Sequence, residues 1–127
     1  MAKALHSDKL NTPRGPYVHG LLIDPGQRLL YVSGQVGIRA DGTTGSGIAE
    51  QSKIVWENIS EVLRLGGMSV TDIVKMTSFV TSRDYVADYG HVRMGFLREH
   101  RPTSTLLIVA GLASPDLLVE VEVVAAK

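Results

Sequence analysis

A carboxylate near the end of the chain, Glu120, is the side chain best placed to do chemistry, and Glu122 on the same face reads as structural. From Leu118 to Ala125 valines and glutamates alternate, so a strand there carries Glu120 and Glu122 on one face and Val119, Val121 and Val123 on the other. A glutamate held on an otherwise apolar strand can act as a general acid or base, because partial desolvation tunes a carboxyl group toward proton transfer. Other reactive arrangements are missing. His6, His19, His91 and His100 fall on different elements without helical metal spacing, so no metal site is expected. The chain has no cysteine, which removes disulfides, thiolate catalysis and cysteine-bound zinc. Ser33 lacks the Gly-x-Ser-x-Gly setting of a nucleophile elbow, and no Lys-Ser/Thr follows the glycines between Gly42 and Gly47, as a phosphate loop requires.

The elements that position these groups follow from periodicity. The opening dozen residues are polar and read as irregular. Tyr17 to Ile23 and Arg28 to Gln35 read as strands joined by the turn residues Asp24-Pro25-Gly26-Gln27, which predicts a hairpin. From Ile48 to Leu65 the spacing is helical, with Ile48, Val55, Ile59 and Val62 on one stripe, Trp56 and Leu63 beside it, and Gly66-Gly67 as the stop. Asp72 to Val80 reads as a strand. Thr81 and Asp84 suggest a capping box for a second helix striped by Tyr85, Tyr89, Val92 and Phe96. Pro102 ends that helix, and two strands around a short turn complete the chain. Two amphipathic helices cannot cover both faces of such a sheet, so the expectation is an α+β domain with both helices on one face. The other face is then covered by self-association.

Composition bounds the function. The 127 residues form a single domain, 1–127, with 44% hydrophobic and 20% charged residues. Thirteen basic residues balance thirteen acidic ones and no basic stripe is evident, so no nucleic-acid partner is expected. The start lacks a signal-like apolar segment and no apolar run is long enough to span a bilayer, so the expectation is no membrane association and a cytoplasmic location.

Short motifs recur in order along nearly the whole chain. They are Gly15-Pro16-Tyr17, Val32-Ser33-Gly34-Gln35, Gln51, Asn58 and Leu63 in the first helix, and Gly66-Gly67. Then come Asp72-Ile73-Val74-Lys75, Thr77-Ser78-Phe79-Val80, Pro102-Thr103-Ser104-Thr105 and Val119-Glu120-Val121-Glu122. Together they resemble the Rid (RidA/YjgF) family, small imine-hydrolysing or ligand-binding trimers. The resemblance implies a chorismate-mutase-like α+β fold with a mixed β-sheet and two helices on one face. It also implies a homotrimer, a small-molecule ligand in an intersubunit pocket, and no cofactor. It further implies that Glu120 activates or orients water for attack on an imine carbon, while Tyr17 and the segment Ser33, Gly34, Gln35 shape the site.

Two departures stand out. Val18 follows the tyrosine where the family has serine. More important, the family's carboxylate-binding arginine, counted from Pro102, is replaced by Ser104. A guanidinium grips a carboxylate through two charge-assisted bonds, whereas a serine offers one neutral bond. The difference corresponds to about ten- to hundred-fold in carboxylate affinity. The candidate substitutes are Arg14, Arg39 and Arg93; Arg101, three positions upstream, has the wrong strand parity. The expected function is therefore an imine or enamine hydrolase with weak or no activity on simple 2-imino acids. The alternatives are a non-catalytic metabolite-binding sensor or scaffold and, less favoured by the balanced charge, an endoribonuclease.

Overall fold

The alternation seen at the end of the sequence governs the architecture, because that segment lies inside the sheet and is hydrogen-bonded on both sides. The computed structural model describes residues 2–127. Its strands are β1 (Ala2–Leu5), β2 (Gly20–Ile23), β3 (Leu29–Val36), β4 (Ile73–Val80), β5 (Thr103–Ile108) and β6 (Val119–Ala126). The helices are α1 (Gly47–Leu65) and α2 (Val86–Leu97), with short 3-10 turns at Val70–Asp72 and Arg83–Tyr85. The main sheet runs β3-β6-β4-β5 and is mixed: β6 is antiparallel to both neighbours, and β5 is parallel to β4.

The inward face of β6, Val119, Val121, Val123 and Ala125, is buried beneath the helices together with Met76 and Val80 of β4. From α1, Ile48, Val55, Trp56, Ile59 and Leu63 fill the core, and α2 adds Tyr89 and Leu97. Trp56 stacks on Phe96 with ring centroids 6.1 Å apart, joining the two helices. The α1 terminus follows from its glycines. Gly67 adopts φ +70°, Met68 N–H donates to Leu63 O at 2.8 Å and Gly67 N–H to Arg64 O at 3.0 Å. Buried Met68 then packs with the core that Leu63 belongs to. No helix is long and apolar enough to cross a membrane among the described residues.

Several sequence expectations are corrected. The opening residues are not wholly irregular: Ala2–Leu5 forms β1, which pairs antiparallel with β2. The segments 17–23 and 28–35 therefore do not form a hairpin ladder. The Asp24–Gln27 turn is present, with Gly26 at φ +85°, but it leads from one sheet to the other. The reason lies in β6, whose valines give β3 an apolar partner, Val32 opposite Val123. The last two strands are not neighbours, because β4 lies between them and residues 109–118 make a longer connection than a tight turn. The capping box forms at Ser69 and Asp72 rather than at Thr81 and Asp84. Ahead of α2 it is Ser82 that accepts the Asp84 N–H, at 3.2 Å.

One buried amide fastens the long connection to the helical layer. The Gln51 side chain, 1% exposed, donates to Gly45 O at 3.1 Å and to Asp116 O at 2.9 Å, and accepts from Leu118 N–H at 2.8 Å. Gln51→Leu keeps the volume but leaves these backbone groups unpaired, so it is expected to destabilise the fold by roughly 2–4 kcal/mol. The check is the urea midpoint at unchanged m-value; a change below about 0.5 kcal/mol removes the tether from the account.

Candidate functional site

The outward face of the sheet is built from Glu120, Glu122 and Val124 of β6, Lys75, Thr77 and Phe79 of β4, Thr105 and Leu107 of β5, and Tyr31 and Val36 of β3. No helix covers it, and Tyr31 is 72% exposed. Near its centre is a concavity of about 380 Å³ whose lining includes Tyr31, Ser33, Lys75, Thr77, Glu122 and Val124.

Glu120 occupies the next row, opposite Phe79 on β4 and Val36 on β3. Its position depends on an irregularity in β3. Val32 pairs with Val123 and Gln35 with Val121, so Ser33 and Gly34 together oppose the single residue Glu122 in a β-bulge. Gly34 then lies directly against the Glu120 carboxyl group, so closely that a Cβ there would fall 1.9 Å from Oε2. Only a glycine admits the carboxylate at this spot. Gln35 shares its row with inward-facing Val121, and its Nε2 donates to Ser33 O at 3.2 Å, bracing the bulge. Asn58 of α1 fixes the far end of β3 by donating to Ile38 O at 3.0 Å.

The other expected residues gather elsewhere. Ser104 pairs with Met76, whose side chain is fully buried on the helix side, so Ser104 lies on the face opposite Glu120. It is also three residues from Leu107, the β5 member of the Glu120 row. The loop that carries Tyr17 is tied to the start of β5 by Val18 N–H donating to Pro102 O at 3.1 Å, and the Tyr17 ring meets His19 edge-on at 6.0 Å. The sheet thus separates a Glu120–Gly34–Ser33 group from Ser104 within one chain.

The cations also sort themselves. Arg39 is ion-paired with Glu50. Arg101 turns back to the end of α2, donating to Arg98 O at 2.5 Å and His100 O at 2.9 Å. Arg14 is exposed in the loop before Tyr17. Arg93, half-buried on α2, places its guanidinium carbon 5.3 Å from the Tyr89 ring centroid. Sequence reasoning did not single out Gly34 as the residue touching Glu120, nor the Ser78–Tyr89 pair, whose hydroxyls bond at 2.5 Å in the core. Among the described residues no group of His, Cys, Asp and Glu could hold a metal ion.

The close approach at Gly34 is testable. Gly34→Ala is expected to fold normally, since the opposing atom is the mobile end of a side chain, with the midpoint within about 4 °C of wild type. The Glu120 carboxyl group must nevertheless rotate away. Carboxyl-carbon NMR of Glu120 will show a displaced signal, and an unchanged signal refutes the contact.

Comparison with known proteins agrees with this fold and motif order. The family model described as endoribonuclease L-PSP matches residues 8–127. TdcF of Escherichia coli K12, whose name assigns it provisionally to the reactive intermediate deaminases, is 30% identical over 131 residues, covering 100% of this chain and 98% of TdcF. Human 2-iminobutanoate/2-iminopropanoate deaminase is 29% identical over 115 residues, covering 87% of this chain and 80% of the human protein. A crystal structure of E. coli TdcF with bound serine superposes with a TM-score of 0.75 at 30% identity, covering 98% of both chains. A Rid-family protein of Yersinia pestis gives 0.86 at 23% identity, covering 99% of this chain and 98% of its own, a likeness of fold. With its mixed sheet, two helices on one face and family motifs in order, the chain belongs to the endoribonuclease L-PSP (Rid/YjgF) family.

Proposed function

We propose that this protein is a homotrimeric hydrolase of imines or enamines whose ligand pocket lies between protomers and which acts weakly on simple 2-imino acids. The observation that carries the reading is the bulge at Ser33–Gly34, which leaves space for one acidic side chain and fills it with Glu120. The names of TdcF and of the human deaminase support the reaction class. The structure with bound serine supports a small ligand.

The reaction needs little equipment. Glu120 accepts a proton from water as the water oxygen bonds to the imine carbon, and hands that proton to the imine nitrogen. In the resulting carbinolamine Glu120 takes the hydroxyl proton and passes it to the amino group as the C–N bond breaks, so that ammonia leaves, a carbonyl compound remains and the carboxylate is restored. Since Glu120 and Ser104 lie on opposite sheet faces, a pocket using both takes the glutamate from one protomer and the β5 flank from a neighbour. The uncovered outward face, with Tyr31 and Leu107 exposed, favours such association. The preference against 2-imino acids follows from Ser104: no guanidinium stands on β5 to hold a carboxylate attached to the reacting carbon.

Two substitutions test this reading. Glu120→Ala is expected to abolish imine hydrolysis while ligand binding persists; turnover within about three-fold of wild type rejects the assigned role. Ser104→Arg is expected to raise kcat/KM for 2-iminopropanoate by about ten- to hundred-fold. Retained binding with no turnover of any imine by the wild-type protein moves the conclusion to the metabolite-binding alternative.

A further inference from the structure

A polar cluster at the β4–β5 edge, on the helix side, is not used by the proposed hydrolysis. Ser78 and Tyr89 are fully buried and bonded to each other. Arg93, one helical turn beyond Tyr89, lays its guanidinium over the ring. No described carboxylate neutralises it: the ion pairs among the described residues are Arg39–Glu50, Lys53–Glu57 and Arg64–Glu61. Its Nε is buried without an acceptor. Tyr89 does not supply a counter-charge, because burial pushes its phenol above the ordinary value against the opposing effects of the Ser78 bond and the Arg93 charge. The group is therefore a neutral phenol beside an uncompensated cation.

Two features relate this cation to the β5 flank. Gly90, one turn before Arg93, leaves the guanidinium uncovered; a Cβ there would already stand 3.5 Å from Nη2, and a longer side chain would close over it. Ser78 pairs with Leu106 on β5, two residues from Ser104 on the same face. Arg93 is thus connected to the flank that carries Ser104 through the Tyr89–Ser78 pair. A partly desolvated guanidinium whose Nε lacks an acceptor, and whose neighbour is a phenol rather than a carboxylate, is stabilised by an anion supplied from outside.

We propose that Arg93 is the anion-binding residue of the intersubunit cleft and that it takes a carboxylate separated by a short carbon chain from the imine carbon. The substrate class is then imines or enamines bearing a remote carboxylate. A carboxylate attached directly to the reacting carbon would reach Ser104 and stop short of the guanidinium. This inference rests on the cleft assigned under the proposed function and adds a specificity that reading does not contain.

The test uses stable carbonyl analogues and the intact oligomer, so it does not depend on turnover. Calorimetric titration compares levulinate, with a remote carboxylate, pyruvate, with an adjacent one, and butanone, with none. Wild type is expected to bind levulinate at least about ten-fold more tightly than pyruvate, and Arg93→Met to lose about ten- to hundred-fold for levulinate alone. Arg93→Lys, which keeps the charge but not the planar fork, is expected to fall between them and decides the matter if the Met variant does not fold. Equal levulinate affinity in wild type and either variant overturns the role of Arg93 while leaving the cleft and Glu120 intact. Failure of wild type to bind any of the three overturns the cleft and this inference together.

Discussion

The two-residue period of β6, held by ladders on both sides, is the constraint on which this molecule depends. Because β3 and β4 both pair with it, β6 cannot slip in register without moving its valines out from under the helices. Burying Val119, Val121, Val123 and Ala125 thereby places Glu120 and Glu122 on the other face. The acidic residue proposed to do chemistry is positioned by the hydrophobic core rather than by a polar scaffold. Its immediate surroundings then need only one accommodation, a backbone segment without a side chain at Gly34.

A thin sheet also divides function between its faces. The Ser104 flank and the Glu120 row are separated by the β-sheet itself, and no rotamer change brings them together within one chain. For a family whose members are small single domains, association between copies gives one explanation for both the uncovered outward face and the divided candidate residues. On the proposed reading, oligomerisation and catalysis are then the same structural event. That reading requires that a protomer parted from its neighbours be inactive even with every side chain in place.

Much of this was legible in the sequence, for identifiable reasons. The α1 helix, with its Ile48, Val55, Ile59 and Val62 stripe widened by Trp56 and Leu63 and its glycine stop, has strong local signals and lies where they indicate. The face assignment of Glu120 depended only on strand periodicity, and β6 shows it. What failed was pairing, a non-local property. The Asp24–Gln27 turn looks like a hairpin turn, but β2 and β3 join different sheets because β6 competes for β3 from almost a hundred residues away. The bulge was equally hidden: Val32-Ser33-Gly34-Gln35 is compatible with a regular strand, and only the partner register shows the extra residue. Arg93 could be named as a basic residue, but its lack of a counter-charge belongs to the tertiary structure.

The bulge has a consequence for how such chains can vary over time. Val32 and Gln35 share rows with inward-facing Val123 and Val121 although an odd number of steps separates them, so the two halves of β3 are out of phase. Each half is anchored separately, the first by Val32 in the core and the second by Asn58 holding the carbonyl of Ile38. An insertion or deletion upstream, in the loop between β2 and β3, can therefore be absorbed without disturbing the backbone that faces the acidic residue. Descendants of this chain are free to change the length of that loop while the reactive corner is inherited intact.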